Sequence, residues 1–370
     1  MLLAAAILPY LLCFWVLIQL GYAFYYFIPF LWYRPPVRQA ADFPVSVVLA
    51  AHNEAENLSR LIPALLQQNY PCFEVLVVDD RSSDDTKKNI NNLSQIHARL
   101  RILAIEQAPL GIHPKKYALT QGITHARYEH ILLTDADCLP ASDQWIAEMA
   151  KGFFGGAAIV LGYSPYIRIS GFLNKLIRYE TLLTALQYLS FSMKGHTYMG
   201  VGRNLAYTKT CFSQVNGFGS HKAIVGGDDD LFVQRARNQQ GVNLVLSPAS
   251  QTKSIPKRTY QQWFIQKRRH LAVGQHYKWA DKIRIGLFMF SNLAFYLTWG
   301  IYLVTSNELF LPIILFIGRS IVISLVYWFT ARKLQEKLPV FLLPLLDLIY
   351  FINYLVLGVS VLMFKKVRWK

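Results

Sequence analysis

PVSVVLAAHNEAENLSRLIPALLQQ, residues 44–68, sets a short apolar, β-branched run directly against a helical pattern. The run 44–51 suits a buried strand, and apolar spacing at Leu58, Leu61, Ile62 and Leu65 marks a helix over 54–68. The alternation continues outward. FEVLVVD at 73–79 reads as a second strand, 83–97 as a helix, 100–105 as a third strand, 115–126 as a helix and EHILLT at 129–134 as a fourth strand. Strands alternating with helices predict an α/β domain with a mostly parallel sheet covered on both faces. In such sheets ligands bind beyond the carboxyl ends of the strands. Polar clusters follow those ends here: His52-Asn53-Glu54, Asp79-Asp80 and Asp135-Ala136-Asp137.

The composition excludes an all-soluble chain. Of 370 residues, 53% are hydrophobic and only 16% charged, with a mean hydropathy of +0.25. The apolar excess is concentrated in 1–33, 285–304, 309–330 and 338–364, each long enough to cross a hydrocarbon core of about 30 Å. The organisation expected is an N-terminal transmembrane anchor over 1–33, a globular block over 34–284, and a C-terminal transmembrane region over 285–370. Residues 1–33 lack the basic start and cleavage site of a signal peptide. The stretch 170–193 is amphipathic and too charged to span, so it reads as a core helix or a helix on the membrane surface.

The net charge of +16 collects at the ends of the apolar segments, at Arg34 and Arg38, at Lys278, Lys282 and Arg284, and at Lys365, Lys366, Arg368 and Lys370. That placement favours the basic cytoplasmic face of a membrane protein over nucleic-acid binding. Four full spans from an outside N-terminus nevertheless set the basic tail outside, against the same rule. The ionisable residues Asp347, Arg319 and Glu308 of the C-terminal segments have no evident partner in the sequence, which argues against a transporter. The four cysteines, Cys13, Cys72, Cys138 and Cys211, show no metal-ligand spacing and read as reduced thiols.

Three acidic clusters carry the chemistry. Asp135 and Asp137 stand two residues apart at a strand end, where both carboxylates can reach one hard divalent cation that keeps positions free for phosphate oxygens. Asp79-Asp80 ends another strand, ahead of Ser83, Asp84 and Asp85, which suit helix capping. Gly226-Gly227-Asp228-Asp229-Asp230 opens a helix over 231–238, and its adjacent carboxylates repel one another, favouring a raised pKa and general-base work. Downstream, Gln266, Arg269 and His270 fall at i, i+3 and i+4 of one helix and share a face. Arginine suits a diphosphate because its planar fork binds phosphate oxygens in pairs.

Taken in order, VSVVLAAHNEAENL, VLVVDDRSSDDT, KKYAL, TDADC, GRNLAY, GGDDDLF and QKRRH resemble the family 2 glycosyltransferases of GT-A fold. The likeness is to the membrane-anchored members, such as cellulose, chitin and hyaluronan synthases and their smaller bacterial relatives, and it extends from 45 to about 274. The resemblance implies a nucleotide-diphosphate sugar donor, a UDP-sugar first, and Mn²⁺ or Mg²⁺. Ala51, His52 and Glu54 then line the nucleotide pocket, Asp79 or Asp80 contacts base and ribose, and Lys115 approaches the diphosphate. Asp135 and Asp137 hold the donor through the metal, Asp137 more directly, while Arg203 and Asn204 face the acceptor. Arg269, flanked by Gln266 and His270, stabilises the departing diphosphate. The base is Asp229 when the cluster is aligned from its glycine and Asp228 when aligned from Leu231, and the glycine register is preferred.

Two departures bear on the product. Processive synthases carry Q-x-x-R-W, where this chain has His270 in the tryptophan's place, and the C-terminal apolar region is small. Both favour transfer of one sugar to a lipid-like or membrane-bound glycan acceptor; the resemblance implies inversion and a bacterial inner membrane, and Arg34 and Arg38 place the catalytic block in the cytoplasm. The rivals are a processive polysaccharide synthase and a non-catalytic nucleotide-sugar-binding scaffold.

Overall fold

The computed structural model describes residues 2–36, 41–238 and 241–363. The charges expected to matter at Arg38, Lys365, Lys366, Arg368 and Lys370 lie outside the described residues. The chain divides into two compact units, an α/β unit built from the described parts of 34–168 and 197–257, and a helical unit built from those of 1–33, 169–196 and 258–363. The block 34–284 that composition marks as continuous is thus divided, with 169–196 and 258–284 grouped with the apolar helices.

The α/β unit contains β1 (Val45–Ala51), β2 (Phe73–Asp80), β3 (Leu100–Ile105), β4 (His130–Leu133), β5 (Cys138–Pro140), β6 (Ile159–Leu161), β7 (Leu205–Thr208), β8 (Val242–Leu244) and β9 (Thr252–Ser254). Seven of them form one sheet in the order β3-β2-β1-β4-β7-β6-β8. The sheet is mostly parallel, as expected; β7 runs antiparallel to both of its neighbours, β4 and β6. β5 and β9 pair separately, antiparallel, with Cys138 opposite Ser254.

Burial on both faces explains why β1 and β2 read as continuous apolar runs. Every residue of β2 is buried, and all of β1 except Ala50. Val45, Val47 and Leu49 face the helix Ala55–Leu66 through Leu58, Leu61, Ile62 and Leu65. The opposite face takes the helix Pro114–His125, where a Cβ added at Gly122 would lie 2.6 Å from Val48 Cγ1 and 2.8 Å from Val78 Cγ2. That close approach fixes the helix whose first turn carries Lys115 and Lys116.

The helical unit holds four helices long and apolar enough to cross a membrane: Ile7–Trp32, Trp279–Thr305, Phe310–Lys333 and Val340–Met363. They coincide with the apolar segments read from the sequence. The helix Phe172–Met193 is buried along most of its length, Arg178 and Glu180 included. The C-terminal charges also find partners, contrary to their sequence reading. Arg319 meets Asp347 at 2.7 Å and donates to Gln19, Tyr296 and Asn292 at 2.7, 2.9 and 2.6 Å. Asp347 in turn accepts from Tyr179 and Tyr296, each at 2.6 Å. Glu308 accepts the backbone N–H of Phe310 at 2.9 Å. Buried charges persist in apolar surroundings when paired and hydrogen-bonded in this way.

Candidate active site

The loops after β1 and β2 are tied to each other. Asn53 takes a left-handed conformation, φ 54°, and its side-chain oxygen accepts the Ser83 N–H at 2.8 Å while its own N–H donates to Ser82 Oγ at 3.0 Å. His52 Nδ1 lies 2.6 Å from the Asp80 carbonyl oxygen. Asp84 accepts the N–H of Thr86 at 3.0 Å and of Ala55 at 3.2 Å, so the acidic run after β2 serves two helix starts. Glu54 is held by Asn57 Nδ2 at 2.6 Å, and Asp80 by Arg81 at 2.8 Å. Asp79 differs. It is buried at the end of β2 beside Ala51, yet its Oδ1 has no hydrogen-bond partner. A buried carboxylate oxygen left unsatisfied is costly unless a ligand donor completes it.

Lys115 joins the other two acidic clusters. Its Nζ stands 3.0 Å from Asp135 Oδ1 and 2.9 Å from Asp228 Oδ2. Burial alone lowers the pKa of an ammonium, but Asp135 and then Asp228 outweigh it and hold Lys115 protonated well above its usual range. Asp137 has no such partner. Burial first, and the charge of Asp135 next, push its carboxyl pKa up against the opposing charges of Arg203 and Lys257. Arg203 lies over the Tyr166 ring at 4.4 Å and donates to the Ser164 carbonyl at 3.3 Å. Its Nη1 is buried without a partner.

Asn204 does not share that openness. It is fully buried, donating to the Tyr163 and Ser250 carbonyls at 2.8 Å each and accepting from Trp145 Nε1 at 2.9 Å. Its amide is committed to the fold, which corrects its assignment as an acceptor-facing residue.

The Asp228–Asp230 cluster is presented by Gly226 and Gly227, both left-handed at φ 81° and 77°, a conformation that side chains disfavour. The three carboxylates then diverge. Asp228 is buried against Lys115, and although burial pushes its pKa up, the charge and hydrogen bond of Lys115 bring it down to about 2. Asp229 is the more exposed neighbour. Its oxygens accept the N–H groups of Gly202 at 2.9 Å and Asp230 at 2.8 Å. Burial, followed by the charge of Asp228, raises its pKa above the ordinary aspartate value. Asp230 turns inward and accepts the Leu231 N–H at 2.8 Å. One of the three is therefore a masked anion and another a more basic, accessible one.

Gln266, Arg269 and His270 lie on the helix Tyr260–Val273, in the helical unit. Within that unit Lys267 reaches the buried Glu180 at 3.0 Å, which also accepts from Trp263 Nε1 at 3.0 Å and Tyr354 at 2.7 Å. The sequence reading missed Lys116, Tyr166, Lys257 and Glu180. Lys116 could have been suspected from its place inside an apolar helix face; Tyr166 and Lys257 carry no local signal, because β5–β9 pairing brings them in.

Comparison with known proteins agrees with this fold. The model of glycosyl transferase family 2 matches residues 46–214, and that of the N-terminal domain of galactosyltransferase matches 180–258. The glycosyltransferase AglE of Haloferax volcanii is 28% identical over 194 residues, 52% of this chain and 60% of that protein. The poly-beta-1,6-N-acetyl-D-glucosamine synthase of Staphylococcus epidermidis is 30% identical over 99 residues, 27% of this chain and 23% of that one. The match thus spans less than two thirds of either relative. The mannosyltransferase PcManGT from Pyrobaculum calidifontis, solved in complex with GDP-Man and Mn²⁺, superposes with a TM-score of 0.61 at 19% identity, covering 94% of this chain and 99% of its own. Most of the GT-A sheet and of the ordered motifs around it thus lies in a region, 46–214, that matches the family 2 glycosyltransferases.

Proposed function

We propose that the protein is an inverting, metal-dependent glycosyltransferase. It moves one sugar from a nucleotide-diphosphate sugar, with UDP-sugars first, to a hydroxyl of a lipid-like or membrane-bound acceptor. The observation that carries this reading is the contrast between Asp228, neutralised by Lys115, and Asp229, raised in pKa and more exposed. A general base works when it is ionised but still basic enough to take a proton, and Asp229 meets that requirement better.

The remaining roles follow from chemistry. The unpaired Asp79 oxygen suits a ribose hydroxyl or a base N–H, with His52, Glu54 and Asp80 bracing the loops around it. Lys115 and Arg203 supply positive charge for a diphosphate, and Arg269, with Gln266 and His270, is assigned there by the order of the family's motifs. Asp135 and Asp137 fit a hard cation. Both offer oxygen only, and the raised pKa of Asp137 reflects burial first and the charge of Asp135 next, both of which a bound cation offsets. Among the described residues no cage of three or more His, Cys, Asp or Glu side chains gathers, so diphosphate oxygens and water would complete the coordination. Bound there, Mn²⁺ or Mg²⁺ supplies charge neutralisation for the leaving diphosphate.

In the transfer, Asp229 takes the acceptor hydroxyl's proton as that oxygen bonds to the anomeric carbon. The bond from that carbon to the diphosphate breaks, its electron pair leaves on the phosphate oxygen, and the configuration inverts. The basic residues around the apolar helices support a cytoplasmic α/β unit, and the resemblance to the smaller bacterial members of the family supports a bacterial inner membrane. The identity with a polymer synthase supports a second reading, processive synthesis, which His270 and the small apolar region oppose. Product length separates the two.

The test is a thermal-shift screen of detergent-purified protein against UDP-, GDP- and CMP-sugars, each with and without Mn²⁺. A Mn²⁺-dependent rise for one nucleotide supports a working donor site. No shift with any donor, from folded protein, favours the scaffold reading.

A further inference from the structure

Lys116 is a fully buried lysine that the transfer chemistry does not use. Its neighbour Lys115 turns towards Asp135 and Asp228, whereas Lys116 turns to backbone. Its Nζ donates to the His221 carbonyl at 2.6 Å and the Ile224 carbonyl at 3.0 Å. A second tie lies beside it, where the His113 N–H donates to the Lys222 carbonyl at 2.7 Å. Together these contacts fasten residues 221–224 to the first turn of the helix Pro114–His125. That helix is itself immobilised against β1 and β2 by the close approach at Gly122.

The fastened segment leads directly into Gly226 and Gly227. Two consecutive left-handed glycines are the least constrained hinge a chain can carry, and Asp228 and Asp229 follow at once. Without an anchor upstream, the register of both carboxylates would depend on that hinge. An ammonium is costly to bury, and it persists where its hydrogen bonds and nearby anions compensate. The anions at hand are the three of the same cluster: Asp228, Asp230 and Asp229 each oppose the fall in pKa, to about 8, that burial imposes on Lys116.

We propose that Lys116 is a positioning residue. By clamping the carbonyls of His221 and Ile224 it holds the double-glycine hinge so that Asp228 meets Lys115 and Asp229 is presented to the acceptor hydroxyl. This inference rests on the reading of Asp229 as the base, but its structural half stands apart from it. Lys115 and Lys116 thereby divide one helix turn between them, Lys115 fixing the carboxylate and Lys116 the backbone that delivers it.

The test is Lys116→Met, similar in shape but unable to donate, in the full chain in detergent. Hydrogen–deuterium exchange over 219–229 should quicken at least tenfold, while β1, β2 and β4 exchange as in wild type. Turnover, read as nucleotide release from UDP-glucose and GDP-mannose, should fall at least tenfold, with affinity for UDP–Mn²⁺ or GDP–Mn²⁺ within twofold of wild type. A general packing defect would lower affinity and turnover together. Unchanged exchange over 219–229, or equal losses of affinity and turnover, overturns the proposal. If Lys116→Met does not fold, Lys116→Leu, which also cannot donate, is read the same way; failure of both to fold also overturns it, because Lys116 would then serve the whole domain. If Asp229→Asn leaves turnover intact, it is the base assignment that fails, and the exchange measurement still decides the clamp.

Discussion

Lys115 Nζ lies 2.9 Å from Asp228 Oδ2, and that contact makes Asp228 and Asp229, adjacent in the chain, unequal as bases. Asp228 is held at about 2 by the lysine. Asp229 is raised by burial and by the charge of Asp228 itself. Three neighbouring aspartates thus become one fixed anion, one helix-start acceptor and one carboxylate of raised pKa, without any chemical difference between the side chains.

The pH dependence follows from that inequality. Asp229 accepts a proton only when ionised, so kcat/KM should fall as pH drops through its raised pKa, above the ordinary aspartate value of about 3.9. Asp228, at about 2, stays ionised throughout that fall. Asp228→Asn removes a charge that raises Asp229 and should move the acidic limb to lower pH. A limb that stays in place in this variant would contradict the coupling.

Asp137→Ala should abolish the Mn²⁺-dependent part of nucleotide-sugar binding while the fold survives, since the side chain is only partly buried. Isothermal titration with and without Mn²⁺ checks it. Equal affinity under both conditions for wild type and variant would count against the metal assignment.

Asn204→Ala should act on stability and leave substrate alone. It breaks three hydrogen bonds and strands buried partners at Trp145, Tyr163 and Ser250, a loss of about 2–4 kcal/mol. The thermal midpoint should drop, with acceptor KM unchanged in the protein that remains folded.

Removing either Arg319 or Asp347 leaves the other buried and unpaired, costing about 3–5 kcal/mol. The double variant Arg319→Met with Asp347→Leu should lose less than either single one. Thermal midpoints in one detergent compare the three, and additive losses would contradict the pairing.

Much of this architecture is legible along the chain. β1 to β4 announce themselves because strands buried on both faces must be apolar throughout, and the carboxylates at their ends stand out against that background. β6 and β8 are three residues each, too short to carry a period, so the far edge of the sheet is silent. Contacts between distant residues are silent as well. Lys115 and Lys116 look alike as a basic pair, yet one meets side-chain carboxylates and the other backbone carbonyls. Arg319 and Asp347 look stranded until their helices pack. Asn204 reads as a ligand contact because GRNLAY resembles the family's acceptor-facing segment, and only its three hydrogen bonds reveal a pin in the core.

The most direct measurement is donor binding and turnover for Asp229→Asn beside Asp228→Asn, with the nucleotide sugar and Mn²⁺ that stabilise the wild type. Asp229→Asn should bind donor with wild-type affinity and lose turnover by a factor of about 10²–10⁴, the larger loss of the two. Turnover of Asp229→Asn within tenfold of wild type, with the loss falling on Asp228→Asn instead, would contradict the assignment of Asp229 as the base.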